Sequence, residues 1–252
     1  MKKISLVILC LLLSSQSVFA SFPDVPPNEE YSRAVDWMER NGIVEGYYNG
    51  TFLPNSPVSR AEFIKMLYLT MEKEVPEVPL VDLSEIFNDG SYSGNSWFKK
   101  YISQAYLDGV AVGYPSGGFY PGANINFAEA SKMIANAFFN ADNVYNAGDL
   151  DGANVNVAGG CVLQARYYTD QWFWPYVGIL DSACIYPDST IEKADAYHPS
   201  MYVSRGQMAF MLYAAKMVVE KTEMEGVYVG RNGLAVFDSH SDLEPSFELV
   251  EY

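Results

Sequence analysis

The feature that most constrains this chain is an internal repeat. Gly42–Leu67, GIVEGYYNGTFLPNSPVSRAEFIKML, is answered by Gly109–Ile134, GVAVGYPSGGFYPGANINFAEASKMI. The register is unbroken: Phe52 and Phe119, Pro54 and Pro121, and Glu62 and Glu129 are each 67 residues apart. A third, more divergent copy ends in VSRGQMAFML at Val203–Leu212. A unit this short cannot bury its apolar face alone, so repetition implies copies packed on one another. The repeat divides the chain into three units at residues 21–75, 85–140 and 168–220, with a loop insertion at 141–167 and a tail at 221–252.

Each unit reads as helix, loop, helix. In the first, Tyr31, Ala34, Val35 and Met38 fall at i, i+3, i+4 and i+7, one apolar helical stripe. Gly42 suits the left-handed stop that follows. Phe98, Tyr101, Ile102 and Ala105 repeat the stripe before Gly109, and Phe173, Tyr176, Val177 and Leu180 repeat it before Cys184. The second helix has a full start signal, with Ser59 as N-cap, Glu62 at N3, and Val58 and Phe63 placed as a hydrophobic staple. Asn126 and Glu129, then Ser204 and Gln207, occupy the same slots. Inward stripes follow at Phe63, Met66 and Leu67, at Ala130, Met133 and Ile134, and at Met208, Met211 and Leu212. Glu72–Ile86 is an acidic, proline-bearing connector. Residues 227–237 read as a small hairpin around Gly230-Arg231-Asn232-Gly233, ahead of an acidic tail that could dock a surface protein partner.

The N-terminal twenty residues read as a secretory signal peptide: Lys2-Lys3, an apolar run from Ile4 to Leu13, and Val18-Phe19-Ala20 for cleavage. The remainder offers no run long enough for a membrane span. Losing Lys2 and Lys3 takes the formal net charge from −15 to −17. A field of that sign repels nucleic acid and anionic membrane, so any anionic ligand must be held by local cations. In an exported chain, Cys161 and Cys184 are expected to form one disulfide, worth roughly 3 kcal/mol by chain entropy. Two independent thiols are the alternative.

These residues carry a family resemblance. Phe22-Pro23-Asp24-Val25, Gly42-Ile43-Val44-Glu45-Gly46-Tyr47, Gly50-Thr51-Phe52, Pro54 and Val58-Ser59-Arg60-Ala61-Glu62-Phe63 resemble the S-layer homology domain, whose hallmark is Thr-Arg-Ala-Glu at the start of the second helix. The resemblance implies a mainly α fold, three pseudo-symmetric helix-loop-helix repeats around a central helical bundle. It also implies a secreted protein of the cell envelope or S-layer. Such a module binds secondary cell-wall polysaccharide, a peptidoglycan-linked polymer that is often pyruvylated, in grooves between repeats.

Candidate ligand contacts follow. Arg60 and Arg205 sit at N1, where a guanidinium beside a helix N-terminus can grip a carboxylate. Asp24 is a further candidate contact, and the competing reading is structural, with each arginine paired to a loop aspartate such as Asp24 or to a carbonyl. Phe127 replaces the arginine in the second unit, which reads either as a packing-only copy or as one that uses Lys132, and at most two arginine sites are expected in the chain. Tyr47 and Tyr114 follow Gly46 and Gly113 and can stack on sugar rings, whereas Phe52, Phe119 and Trp37 read as core. The two histidines, His198 and His240, form no metal or nucleophile pattern. Asp149, Asp151, Asn154 and Asn156 lack the glutamate that a calcium loop needs at its twelfth position. No cofactor, metal or catalytic activity is expected.

Overall fold

The computed structural model describes residues 22–92, 96–142, 171–187 and 199–224. The stretch expected to be a signal peptide, nearly all of the insertion with Cys161 of the expected disulfide, both histidines and the segment expected to form a hairpin lie outside the described residues. Seven helices occupy the rest: α1 Ser32–Arg40, α2 Arg60–Thr70, α3 Leu83–Ile86, α4 Lys99–Leu107, α5 Phe127–Phe139, α6 Trp174–Ser182 and α7 Arg205–Met224. Among the described residues the only β pairing is in isolated bridges.

The helices start where their side chains cap them. Ser59 and Asn126 each accept from the N3 amide, and Glu62 and Glu129 reach back to the N-cap amide. In α7 the same reciprocal pair joins Ser204 and Gln207. Each first helix ends on a left-handed residue: Gly42 at φ 67°, Gly109 at φ 71° and Cys184 at φ 53°. A side chain therefore occupies in the third unit a conformation that favours glycine.

The packing is cyclic. Helices α2, α5 and α7 contact one another, and each also lies against the first helix of the following unit: α2 on α4, α5 on α6, and α7 on α1. The chain thus returns on itself, with its last helix completing the environment of its first. All nine residues of the inward stripes are buried. So are Ala34, Val35 and Met38 of α1, and Ile102 and Ala105 of α4. Phe52 and Phe119 are fully enclosed and Trp37 is half-buried against Tyr213.

Val58, Ile125 and Val203 do more than staple. The Val58 amide donates to the Val203 carbonyl (3.1 Å), the Ile125 amide to Val58 (2.9 Å), and the Val203 amide to Ile125 (3.0 Å). These bonds form a closed ring of three, and all three side chains are fully buried. The connector is tied down too, since the buried Ser103 hydroxyl accepts the Leu80 and Val81 amides.

Candidate functional site

The loop ahead of each second helix is shaped by an aromatic and an aspartate at the start of its unit. A Cβ on Gly46 would lie 2.5 Å from the Phe22 ring, and one on Gly113 would lie 2.6 Å from Phe87, so these loops close only over glycine. Further on, Leu53 and Tyr120 are left-handed, at φ 57° and 54°. Non-glycine residues resist that conformation. A carboxylate holds each in place: Asp24 accepts from Phe52 N (2.8 Å) and Leu53 N (2.7 Å), and Asp89 from Phe119 N and Tyr120 N (both 2.6 Å). Burial pushes the Asp89 carboxyl up, but donation from Tyr120, Ser91 and Phe119 outweighs it and leaves the carboxyl below its ordinary value. Asp24 therefore has a defined structural task that is not a contact with arginine.

The two arginines enter these loops from neighbouring units. Arg60 is only 3 % exposed and reaches into the second unit. Its Nε donates to the Phe119 carbonyl (3.0 Å), and one terminal nitrogen lies 3.1 Å from Glu129 Oε2. Its guanidinium sits over Tyr114 at 4.5 Å and Phe119 at 4.6 Å from the ring centroids. Arg205, also buried, reaches into the first unit. Its Nε donates to the Phe52 carbonyl (2.8 Å), with a longer contact to the Glu45 carbonyl (3.4 Å), and it lies over Phe52 and Tyr47 at 4.6 and 5.1 Å. Each arginine is thus pinned between an interior phenylalanine and an outer tyrosine. Tyr47 is 40 % exposed. Tyr114 is half-buried, and its hydroxyl donates to Glu129 Oε1 at 2.6 Å. Burial, helped by that carboxylate, pushes the Tyr114 hydroxyl up to about 12, so it remains a donor near neutrality.

The helix N-termini are already bonded. The Arg60 and Ala61 amides donate to the carbonyls of Ala123 and Pro121, and the Arg205 and Gly206 amides to those of Ser56 and Pro54. The Phe127 and Ala128 amides donate in the same way to Met201 and Pro199. The first-turn amides expected to face an anion therefore join adjacent units. Phe127 enters the third junction without charge and meets Tyr186, at 6.4 Å between centroids. The Ser131 hydroxyl donates to the Phe127 carbonyl (2.6 Å) and is hydrogen-bonded to the Tyr186 hydroxyl (2.7 Å). Lys132 is elsewhere, over the Tyr176 ring at 4.9 Å and 3.5 Å from Asp142, and is not brought to the Phe127 junction.

The structure therefore brings together Arg60 with Tyr114, and Arg205 with Tyr47, as two equivalent stations. Sequence reasoning missed Glu129 as the counterion of Arg60, because its capping role already accounted for it. It named Asp24 but not Asp89 as a candidate, although Phe87-Asn88-Asp89 echoes the Phe22-Pro23-Asp24 pattern. It also missed Tyr92, whose buried hydroxyl, close enough to feel the charges of Asp89 and Arg60, has no hydrogen-bond partner among the described residues. No metal-binding group of histidine, cysteine and carboxylate side chains occurs among the described residues.

Comparison with known proteins gives this geometry a context. The S-layer homology domain family matches residues 21–64 and 86–131. A cellulosome-anchoring protein of Acetivibrio thermocellus is 30 % identical over 114 residues, which cover 45 % of this chain and 25 % of that protein. S-layer protein EA1 of Bacillus anthracis is 28 % identical over 213 residues, covering 83 % of this chain and 22 % of EA1. The middle cell wall protein of Brevibacillus brevis is 27 % identical over 108 residues, 43 % of this chain and 10 % of that one. The chain spans a quarter or less of these relatives' lengths.

Proposed function

This chain is an S-layer homology domain protein, and from that premise we propose that it attaches an exported protein to the cell envelope by binding a cell-wall polysaccharide. Its relatives bear the names of surface-layer and anchoring proteins, which supports a non-catalytic role at the cell surface. The observation that carries the reading is the pair of equivalent stations, each with a buried arginine behind a partly exposed tyrosine. A tyrosine face held rigid by a cation beneath it suits a sugar ring, and its hydroxyl edge suits the ring's polar groups.

We read the third unit as a full repeat. The three-membered amide ring and the cyclic helix contacts support this, as does a 213-residue similarity to EA1, too long for the two matched segments alone. On this reading the polymer engages two junctions, and Phe127 makes the third a packing contact. Pyruvyl carboxylates fit the reading as ligand groups, held at the outer edge of each station.

The test is co-sedimentation of the purified protein with cell-wall preparations, comparing pyruvylated with non-pyruvylated fractions. Sedimentation with the wall is expected, stronger for the pyruvylated fraction. Tyr47→Ala with Tyr114→Ala is expected to weaken it about tenfold while the helical signal persists. A protein that stays in the supernatant with every fraction overturns the anchoring role. Unchanged sedimentation of the double variant removes the tyrosines from the site.

A further inference from the structure

Lys65 stands apart among the side chains that hold its slot in the three second helices. In α5 the slot is taken by Lys132, which faces Asp142, and in α7 by Phe210. Lys65 has no carboxylate partner among the described residues, and its Nζ lies 5.8 Å from the Trp97 ring centroid. Trp97 is 53 % exposed. Lys65, Trp97, Lys99 and Lys100 share the lining of a cleft of about 530 Å³ beside the connector. Lys100 donates to Glu77 Oε1 at 2.7 Å, but the side chain of that glutamate is 87 % exposed. The cleft is thus a cationic, aromatic surface in a chain of net charge −15.

The complementary charge is in the tail. Residues 238–252, DSHSDLEPSFELVEY, hold Asp238, Asp242, Glu244, Glu248 and Glu251, and residues 232–252 hold no lysine or arginine. An acidic run is ordinarily a solvated tail. This one also carries Phe247 between Glu244 and Glu248, an apolar anchor flanked by carboxylates. The tail lies outside the described residues, but the helix that leads to it does not. Lys216 of α7 lies 3.5 Å from Glu72, just past the end of α2. From that contact Lys65 is about 10 Å back along α2, and Met224 about 12 Å further along α7. Residues 238–252 extend to about 50 Å, so the cleft is within reach even when 227–237 folds back as a hairpin.

We propose that the segment 238–252 docks in this cleft of its own chain, with Phe247 against Trp97 and Glu244 and Glu248 on Lys65 and Lys100. An aromatic flanked by two carboxylates then meets an aromatic flanked by two ammonium groups, so shape and charge complement each other. Glu77 shows that a peptide carboxylate reaches Lys100 from the solvent side. Exposed ion pairs contribute little one at a time. Tethering offsets this, because a short flexible link holds the tail at an effective concentration of about a millimolar, where weak contacts suffice. A docked tail closes the cleft to other anions, whatever the arginine stations bind, and the proposal is independent of the wall-polymer reading.

The experiment is carbodiimide cross-linking of the full protein at low salt, with the linked peptides mapped by mass spectrometry. An equal mixture of unlabelled and isotope-labelled protein is used, so that a link within one chain carries a single label. The Lys100–Glu77 pair, already in contact, is the internal control. Links from Lys65 or Lys100 to Glu244 or Glu248 are expected within single chains, and their yield should fall several-fold in about 1 M salt, where such contacts are screened. Phe247→Ala should lower the same yield several-fold. It should also let acrylamide quench the tryptophan fluorescence more strongly, a difference that Trp97→Phe removes. Position 97 is exposed, and an unchanged far-UV spectrum checks the fold of each variant. Formation of the Lys100–Glu77 link without any tail link overturns the docking. Tail links that mix the two labels give the cleft to a second copy and overturn docking within the chain. Tail links at full yield in Phe247→Ala, or equal quenching with and without Phe247, overturn the seat on Trp97.

Discussion

Arg60 shows how one residue ties two units together. Its side chain is 4 % exposed and its partner Glu129 13 %, so removing the guanidinium strands a nearly buried carboxylate. Breaking such a pair costs about 3–5 kcal/mol. Arg60→Ala should therefore lower the thermal midpoint sharply, read by circular dichroism. Arg60→Lys should recover only part of the loss, because an ammonium lacks the planar fork that spans Phe119 O and Glu129. A midpoint unchanged in the alanine variant would show the pair to be energetically idle. Gly206 is a second case. Where Ala61 and Ala128 stand in the other units, a Cβ on Gly206 would lie 2.9 Å from the Tyr31 ring. Gly206→Ala should cost about 1–3 kcal/mol by overpacking, measured by urea denaturation, and a smaller residue at position 31 should recover part of it.

At the scale of elements, the three second helices depend on their starts. The box at Ser59 and Glu62 both caps α2 and aligns the strand-like segment that feeds the amide ring. Ser59→Ala is expected to destabilise by about 1 kcal/mol. The equivalent change at Ser204 should cost a similar amount, because the Gln207 return bond is also made. Denaturant midpoints of the two variants check this, and a silent Ser204 variant would mean that packing alone sets the start of α7. The hydrophobic pattern specified these helices and their buried faces. It did not specify the one-turn α3 or the hold of Ser103 on the connector, since a lone serine on an amphipathic helix reads as ordinary surface.

The molecule as a whole is a closed ring, and closure predicts cooperativity. Helix α7 packs on α1, α2 and α5, and Val203 completes the amide ring. A chain truncated after residue 198 should lose the cooperative thermal transition throughout, rather than leave two folded units; a sharp transition in the truncated chain would refute ring closure as the source of stability. Acid should loosen the same assembly. Burial pushes the Asp108 carboxyl up, but Lys73, Tyr68 and Gln104 outweigh it, so it lies below its ordinary value of 3.8, as does Asp89. A lowered folded value adds stability above the unfolded pKa that is lost as pH falls through the folded one. The thermal midpoint should stay level from neutrality to about pH 5 and fall below about pH 4. Asp89→Asn should flatten that fall, and an equally steep fall in the variant would assign the acid response to other groups.

The sequence by itself determined the unit. Periodic apolar residues, N-cap pairs and turn glycines act over a few neighbouring residues, so their meaning is readable along the chain. The Arg60, Arg205 and Phe127 series also told which junctions carry charge. Only the tertiary structure decided where those charges go. Each arginine leaves its own unit for the loop of another, and Arg205 meets Phe52 from 153 residues away. Local pattern holds no record of that distance. It arises because α2, α5 and α7, each with an apolar face, exclude water from those faces by packing on one another.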